Sequence, residues 1–155
     1  MKKKPLLVLF LLLCFIASEA QNNNVPFCID SIVTKTSDSI IRSFRSQSLS
    51  LLHTASLTME SEYESGIIVD LKKGNSYVLV FVGAKTSKLF QVTMFDWQEE
   101  RVAFAKQKAF DKEGNILMFT YEPRASGLHM IKPLQSNKKN KTICGQMILF
   151  KKDLP

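Results

Sequence analysis

The sequence predicts a mostly β domain, an antiparallel β-sandwich of about seven strands with one short N-terminal helix. From Gly66 onward, short runs of alternating apolar and polar residues follow one another. They recur at roughly 8–14-residue spacing and are separated by turn residues such as glycine and asparagine. This half of the chain leaves no room for the crossover helices that a parallel sheet requires.

The helix is predicted within the serine- and threonine-rich segment that precedes these runs. Over residues 37–46, Ile40 and Phe44 recur at helical spacing, and either Ser37 or Asp38 can cap the first turn. One short amphipathic helix is therefore expected there.

The strands are predicted from period-two alternation and from the turn signals that bound it. Residues 47–57 alternate in part and can form a strand, whereas the later runs are more distinct. Those later strands are expected at 67–71, 77–82, 90–94, 102–104, 116–121, 128–131 and 143–150. The 77–82 run has no polar break, as expected of a central buried strand, and Pro123 and Pro133 are expected to end the two strands that precede them.

The first twenty residues have the three parts of a secretory signal peptide. Lysines occupy positions 2–4, an apolar run fills 6–16, and Ser18 and Ala20 provide a small-residue cleavage site. The apolar run is shorter than the roughly 17–25 residues that span a membrane. We expect cleavage after Ala20 and a secreted or periplasmic mature chain without a membrane span.

The mature chain is expected to contain a disordered leader over 21–27 and a single domain over 28–155. Without the three lysines and one glutamate of residues 1–20, the net charge falls from +7 to +5. This moderate charge suits weak attraction to anionic surfaces. The mature chain lacks the dense basic stripe of a nucleic-acid-binding domain, so no nucleic-acid partner is predicted.

Cys28 and Cys144 are the cysteines that remain after cleavage. An even number of cysteines in an exported chain favours a disulfide, with the two Cα atoms roughly 4.4–6.8 Å apart. The bridge would fasten the N-terminal segment to the last strand, on the face that also carries Ile148 and Phe150.

Residues 66–150 resemble the bacterial pre-peptidase C-terminal type of domain, a small β-sandwich. The matching positions are Leu71, Gly74, Tyr77 and Gly83, the strand 90–96 that ends in an Asp turn, and the Gly-led strand 127–130. That strand usually carries a tyrosine in the family, where this chain has Leu128 and His129. Such domains are usually accessory modules attached to secreted enzymes. Because no enzyme domain is predicted beside this one, we expect a stand-alone exported protein without catalysis of its own.

No catalytic, cofactor or metal site is predicted from the sequence. His53 and His129 are far apart in the chain and show no zinc-ligand spacing, and no Gly-x-Ser-x-Gly nucleophile motif occurs. His129 is expected on the face of a strand, next to core residues.

Three acidic residues, Glu60, Glu62 and Glu64, alternate at period two. On an extended strand they would share one face, where carboxylate oxygens can bind calcium. The favoured interpretation is a solvated strand edge, because the acidic loop pattern of calcium sites is missing.

A ligand-contact surface is predicted from Trp97 and from the basic cluster Lys138, Lys139 and Lys141. The lysines can contact anionic glycans or lipid headgroups, or form a solvated hairpin tip. An exposed Trp97 can stack on a sugar ring, although burial at the rim of the sandwich is the commoner role of a large aromatic residue.

The function these patterns favour is an exported, non-enzymatic binding or structural module, with a glycan or another exported protein as partner. The alternative is a small secreted hydrolase or a protease-inhibitor-like protein that presents an exposed loop such as 136–141.

Overall fold

The structure is a computed structural model that describes residues 28–109 and 114–152. The expected signal peptide and the 21–27 leader lie outside these ranges. Within them, no helix has both the length and the apolar character needed to cross a bilayer.

In the described ranges, one helix and eight strands form two antiparallel sheets. In chain order the elements are α1 (Ser31–Arg45), β1 (Leu49–Glu60), β2 (Ile67–Leu71), β3 (Tyr77–Gly83), β4 (Leu89–Phe95), β5 (Arg101–Lys108), β6 (Ile116–Tyr121), β7 (Gly127–Ser136) and β8 (Thr142–Lys152). Sheet A has the strand order β1-β8-β3-β6, and sheet B has the order β2-β7-β4-β5. The predicted β-sandwich is confirmed, and the partly alternating 47–57 segment contributes the first strand.

The main core lies between the inner faces of the two sheets. Sheet A contributes Leu79 and Phe81, sheet B contributes Phe90 and Met94, and all four have no exposed surface. The rings of Phe81 and Phe90 meet edge to face with centroids 6.5 Å apart. Burial of each such side chain stabilises the fold by roughly 1.5–3 kcal/mol.

Helix α1 forms a third layer over the outer face of sheet A. Val33 and Phe44 of the helix pack against Val80 and Phe150 of the sheet, and the two phenylalanine rings are 5.0 Å apart. Every residue of β3 is buried as a result. This confirms the prediction that the uninterrupted apolar run is a central strand.

The helix starts earlier than the sequence predicts. Its N-cap is Asp30, whose carboxylate accepts hydrogen bonds from the backbone N–H groups of Ile32 at 2.9 Å and Val33 at 3.2 Å. The expectation that Ser37 or Asp38 caps the helix is wrong, because both lie inside it. Asp30 satisfies the unpaired N–H groups about two turns earlier.

Strand β7 continues through Pro133, where a strand end was expected. Pro133 opposes Val92 of β4, while its carbonyl oxygen accepts a hydrogen bond from Ser65 on the other side. The N and C=O of one strand residue point the same way, so the missing N–H faces the β2 side. Pairing with β2 has already ended at Ile67 and Ile131, so the proline disrupts no ladder hydrogen bond.

A disulfide joins Cys28 to Cys144, with Cα atoms 5.5 Å apart. It fastens the segment preceding α1 to β8, at the edge of the cluster that contains Ile148 and Phe150. This predicted bridge and its predicted face are therefore confirmed.

Candidate functional site

Trp97 lies in the tight turn between β4 and β5, which is organised by Asp96. One Asp96 carboxylate oxygen accepts hydrogen bonds from the N–H groups of Gln98 at 2.9 Å and Glu100 at 3.0 Å. Glu99 adopts a left-handed conformation with φ of 62°. The indole of Trp97 is 61% exposed, so the expectation that it is buried at the rim is wrong.

The indole is positioned by the start of β7. Gly127 has a φ of 154°, and a Cβ atom there would lie 3.1 Å from Cδ1 of Trp97. Glycine therefore allows the backbone of β7 to pass beneath the ring. One side of the indole packs on the protein while much of the rest faces solvent.

Beside the indole is a cleft of about 330 Å³, here called the Trp97 cleft. Its polar and aromatic lining comes from three separate segments: the β4–β5 turn, the end of β6 and the start of β7. The lining includes Trp97, Arg101, Tyr121, Glu122, Arg124 and His129.

Tyr121 and His129 form a fixed pair at the inner side of this cleft. Nδ1 of His129 lies 2.9 Å from the carbonyl oxygen of Gly127, and Nε2 lies 3.3 Å from the Tyr121 hydroxyl. A carbonyl oxygen can only accept, so Nδ1 donates to Gly127, and the second ring nitrogen is engaged with the Tyr121 hydroxyl. His129 is buried on the inner face of β7, as expected of a strand-face histidine.

Burial raises the pKa of Tyr121, and the nearby Asp96 carboxylate raises it further, against the opposing effect of Arg124. The phenol consequently stays protonated at neutral pH and acts as a neutral hydrogen-bonding group. It is unsuited to act as a base there, because a base must be deprotonated near the working pH.

The charges around the cleft are of both signs. Arg101 and Arg124 lie near Glu100 and Glu122, and the Arg101 guanidinium also lies 5.6 Å from the ring centre of Phe104. The cleft therefore combines an exposed aromatic surface with planar polar groups that can donate or accept hydrogen bonds.

The predicted lysine cluster lies in the connection between β7 and β8, which Asn137 organises. The side-chain oxygen of Asn137 accepts from the N–H groups of Lys139 at 3.0 Å and Asn140 at 3.2 Å. Its amide nitrogen donates to Thr86 at 2.8 Å, and its backbone N–H donates to Ser61 at 2.8 Å. The loop is thus held rigidly, with Lys138, Lys139 and Lys141 exposed on it.

Trp97 and these lysines do not form one surface. Trp97 packs on the first residue of β7, whereas the lysines follow the last residue of that ten-residue strand. They therefore lie at opposite ends of the sandwich and are separate candidates. A depression of about 540 Å³ beside the lysines also includes Tyr63, which is 67% exposed and was not singled out by sequence reasoning.

The three alternating glutamates are not gathered on one face. The chain turns at Glu62, which has a φ of 72° and accepts a hydrogen bond from Ser136 at 2.9 Å. Glu64 instead lies 3.7 Å from the ammonium of Lys132. Among the described residues, no group of three or more His, Cys, Asp or Glu side chains is placed to hold a metal ion, so the shared face that calcium binding would require is absent there.

Comparison by sequence gives no match: no family model matches the chain, and no curated protein is found as a relative. The resemblance to the pre-peptidase C-terminal type of domain stays a prediction.

Two solved structures show partial likeness. The chain is similar to the Aeromonas hydrophila protein PliG, a periplasmic inhibitor of g-type lysozyme, with a TM-score of 0.44 and 15% identity over 66% of this chain and 85% of that one. It is also similar to part of the structure of infectious bursal disease virus, Gx strain, with a TM-score of 0.28 and 8% identity over 63% of this chain and 32% of that one. With such low scores, neither likeness indicates what this chain binds.

Proposed function

We propose that this chain is an exported binding module that holds a glycan in the Trp97 cleft. The observation that carries the proposal is the 61% exposed indole, seated on Gly127 at the side of a cleft with fixed polar groups. A pyranose ring presents an apolar C–H face to an aromatic ring and hydroxyl groups at its edges. The cleft offers the indole of Trp97 to the C–H face and polar side chains to the hydroxyl groups.

Export is supported by the disulfide between Cys28 and Cys144. Disulfides form and persist in oxidising compartments and are rare in the cytosol. The signal peptide predicted for residues 1–20 is consistent with the same destination.

The energetic contribution of the indole can be estimated from its exposed area. A tryptophan buries roughly 150–250 Å² when it is fully covered. A sugar that covers about half of the exposed part of Trp97 contributes roughly 1–2 kcal/mol at about 25 cal/mol per Å². Hydrogen bonds to the Tyr121 hydroxyl oxygen and from the Arg124 guanidinium would then select among sugars by hydroxyl geometry.

The test is a glycan array on the mature, oxidised chain, followed by isothermal titration with the best glycan found. Trp97→Ala should weaken binding about tenfold, since about 1.4 kcal/mol corresponds to a factor of ten. Tyr63→Ala is the matched control, because Tyr63 is equally exposed but lies at the opposite end of the sandwich.

Absence of any glycan binding, or an equal loss in the Tyr63→Ala variant, would contradict the proposal. Turnover of the bound glycan by the purified chain would show that the cleft is an active site instead.

A second candidate function, inhibition of a protease, is favoured by the Asn137-organised loop. A loop held in one conformation before binding loses little entropy when it docks, and exposed Lys138 suits enzymes that cleave after lysine. Inhibition of trypsin by the purified chain, lost in Lys138→Ala and kept in the helix variant Lys35→Ala, would support it. Unchanged trypsin activity would exclude this enzyme as a target.

A further inference from the structure

The outer faces of the two sheets differ. Helix α1 packs on β1, β8 and β3 of sheet A, whereas the outer face of sheet B presents large apolar side chains to solvent. We call this outer side of β2, β7, β4 and β5 the bare face. Its larger apolar residues are Ile68, Phe95, Phe104, Leu128, Met130 and Leu134.

Four of these side chains, Ile68, Leu128, Met130 and Phe95, are neighbours, whereas Lys132 separates Leu134 from Met130. Strand register places Ile68 beside Met130, and Met130 beside Phe95, so that one apolar row crosses three strands. Ile68 is 62% exposed, Leu128 57%, and Met130 38%. Contiguous apolar patches on a folded surface mark sites of interaction.

Positive charge is interspersed with this patch. The ammonium of Lys132 lies 5.0 Å from the ring centre of Phe95, and Arg101 lies over Phe104 in the same way. Lys106 is exposed on the same side of β5.

The acidic residues near the face are already paired. Asp70 on β2 forms an ion pair with Lys72 at 2.6 Å, and Glu64 lies 3.7 Å from Lys132. The β2 side is therefore close to neutral, while β5 contributes the outward cations Arg101 and Lys106, with Glu100 beside Arg101.

We propose that the bare face docks this protein on an anionic phospholipid surface. Apolar side chains interspersed with lysine and arginine are the composition of surfaces that lie in the lipid headgroup region, where the apolar groups enter the acyl boundary and the cations meet phosphates. The β5 side, which carries Arg101 and Lys106, would lie deepest among the headgroups.

Two other occupants fit less well. The central part of a protein–protein interface is depleted of lysine, yet Lys132 stands in the middle strand between Met130 and Leu134. A second copy would bring two net-positive faces together, which like charges oppose.

The test uses the mature, oxidised chain and vesicles made of equal parts phosphatidylglycerol and phosphatidylcholine, with phosphatidylcholine vesicles for comparison. Co-sedimentation should show binding to the anionic vesicles only, and added salt should weaken it. The paired variant Ile68→Thr with Met130→Thr should weaken binding by about tenfold or more. Lys106→Gln with Lys132→Gln should weaken it by roughly fivefold for each charge removed.

The matched controls lie on the other side of the molecule. Met118 is 54% exposed on β6 of sheet A, and Lys35 is exposed on α1, so Met118→Thr and Lys35→Gln should keep full vesicle binding. The bare-face residues chosen lie outside the Trp97 cleft, so their variants should also keep glycan binding, which separates this proposal from the proposed function.

Failure of the native chain to bind the anionic vesicles would overturn the proposal. So would an equal loss in the controls, or full binding by both sets of bare-face variants. A concentration-dependent dimer in sedimentation velocity that disappears in Ile68→Thr with Met130→Thr would assign the face to a second copy and overturn the lipid assignment.

Discussion

Gln135 is a fully buried polar residue on the inner face of β7, and it links the two sheets. Its side-chain oxygen accepts from the backbone N–H of Ala84 at 2.9 Å and from the hydroxyl of Ser87 at 3.0 Å. Its amide nitrogen donates to the carbonyl oxygen of Cys144 at 2.7 Å. A single side chain from sheet B thereby satisfies backbone groups at the end of β3 and in β8 of sheet A.

Gln135→Met keeps the length of the side chain but removes these hydrogen bonds. The N–H of Ala84 and the C=O of Cys144 would then be buried without this partner, at about 1–3 kcal/mol each. Because the buried glutamine amide is itself costly to desolvate, part of this loss is offset. We expect a net decrease of about 2–4 kcal/mol in the free energy of unfolding.

The assay is urea unfolding of the oxidised chain, followed by circular dichroism and by fluorescence of Trp97, its single tryptophan. Gln91→Met, on the half-buried outer side of β4, is the matched control and should change stability by less than about 0.5 kcal/mol. A loss in Gln135→Met below about 1 kcal/mol, or no larger than that of the control, would refute the reasoning.

Three further predictions concern the helix, the disulfide and Tyr121. Asp30→Ala should destabilise the chain by about 1 kcal/mol in urea unfolding through loss of the helix cap, whereas Asp38→Ala, in the exposed middle of α1, should not. Replacing both Cys28 and Cys144 by serine should lower the free energy of unfolding by about 4–5 kcal/mol in the chain-entropy model. Non-reducing peptide mapping of the native protein should recover the 28–144 cross-link. Two alkylatable thiols in the exported protein would contradict the disulfide. In a spectrophotometric titration, Tyr121 should ionise above its ordinary pKa of 10.0. The folded chain therefore holds the phenol proton more tightly than the unfolded chain does. The contribution of Tyr121 to stability is complete below the pKa of the unfolded chain and is lost as the pH rises through the pKa of the folded chain. Tyr121→Phe should remove that part of the alkaline pH dependence.

Strand patterning was sufficient to predict most of the architecture. In β2, Ile67, Val69 and Leu71 are buried while Ile68 and Asp70 are exposed, which is the period-two alternation that the sequence displays. The alternation identifies the inward side chains without knowledge of the partner strands. It does not identify those partners, and the order of strands in each sheet could not be derived from it.

The errors at element ends arose where the local sequence does not decide the outcome. Several serine and aspartate residues near α1 are suitable caps, and the local sequence does not distinguish Asp30, which lies two residues after the cysteine that the disulfide joins to β8. Pro133 is tolerated because pairing with β2 ends before it. The outcome at Pro133 depends on a contact far away in the chain, which local propensity cannot reveal.

The Trp97 cleft was only partly predictable for the same reason. The Asp96–Trp97 turn is visible in the sequence, but Tyr121, Arg124 and His129 come to it from the adjoining ends of β6 and β7. The start of β7 lies beside the β4–β5 turn because β7 pairs with β4 in sheet B, whereas the end of β6 reaches that turn through the stacking of sheet A on sheet B. Trp97 was expected to be buried because tryptophan usually is, and its exposure is the departure that directs attention to the cleft.

The outward positions of the two sheets also carry information about function. In β3 the outward Val78, Val80 and Val82 are buried beneath the helix layer, so folding accounts for their apolar character. In β7 the outward Leu128 and Met130 gain no such burial within the described residues, and a polar residue there would fold as well and dissolve better. Since an exposed apolar patch is a liability for solubility, the presence of Leu128 and Met130 on the outward side of β7 supports the proposal that this face contacts a surface outside the chain.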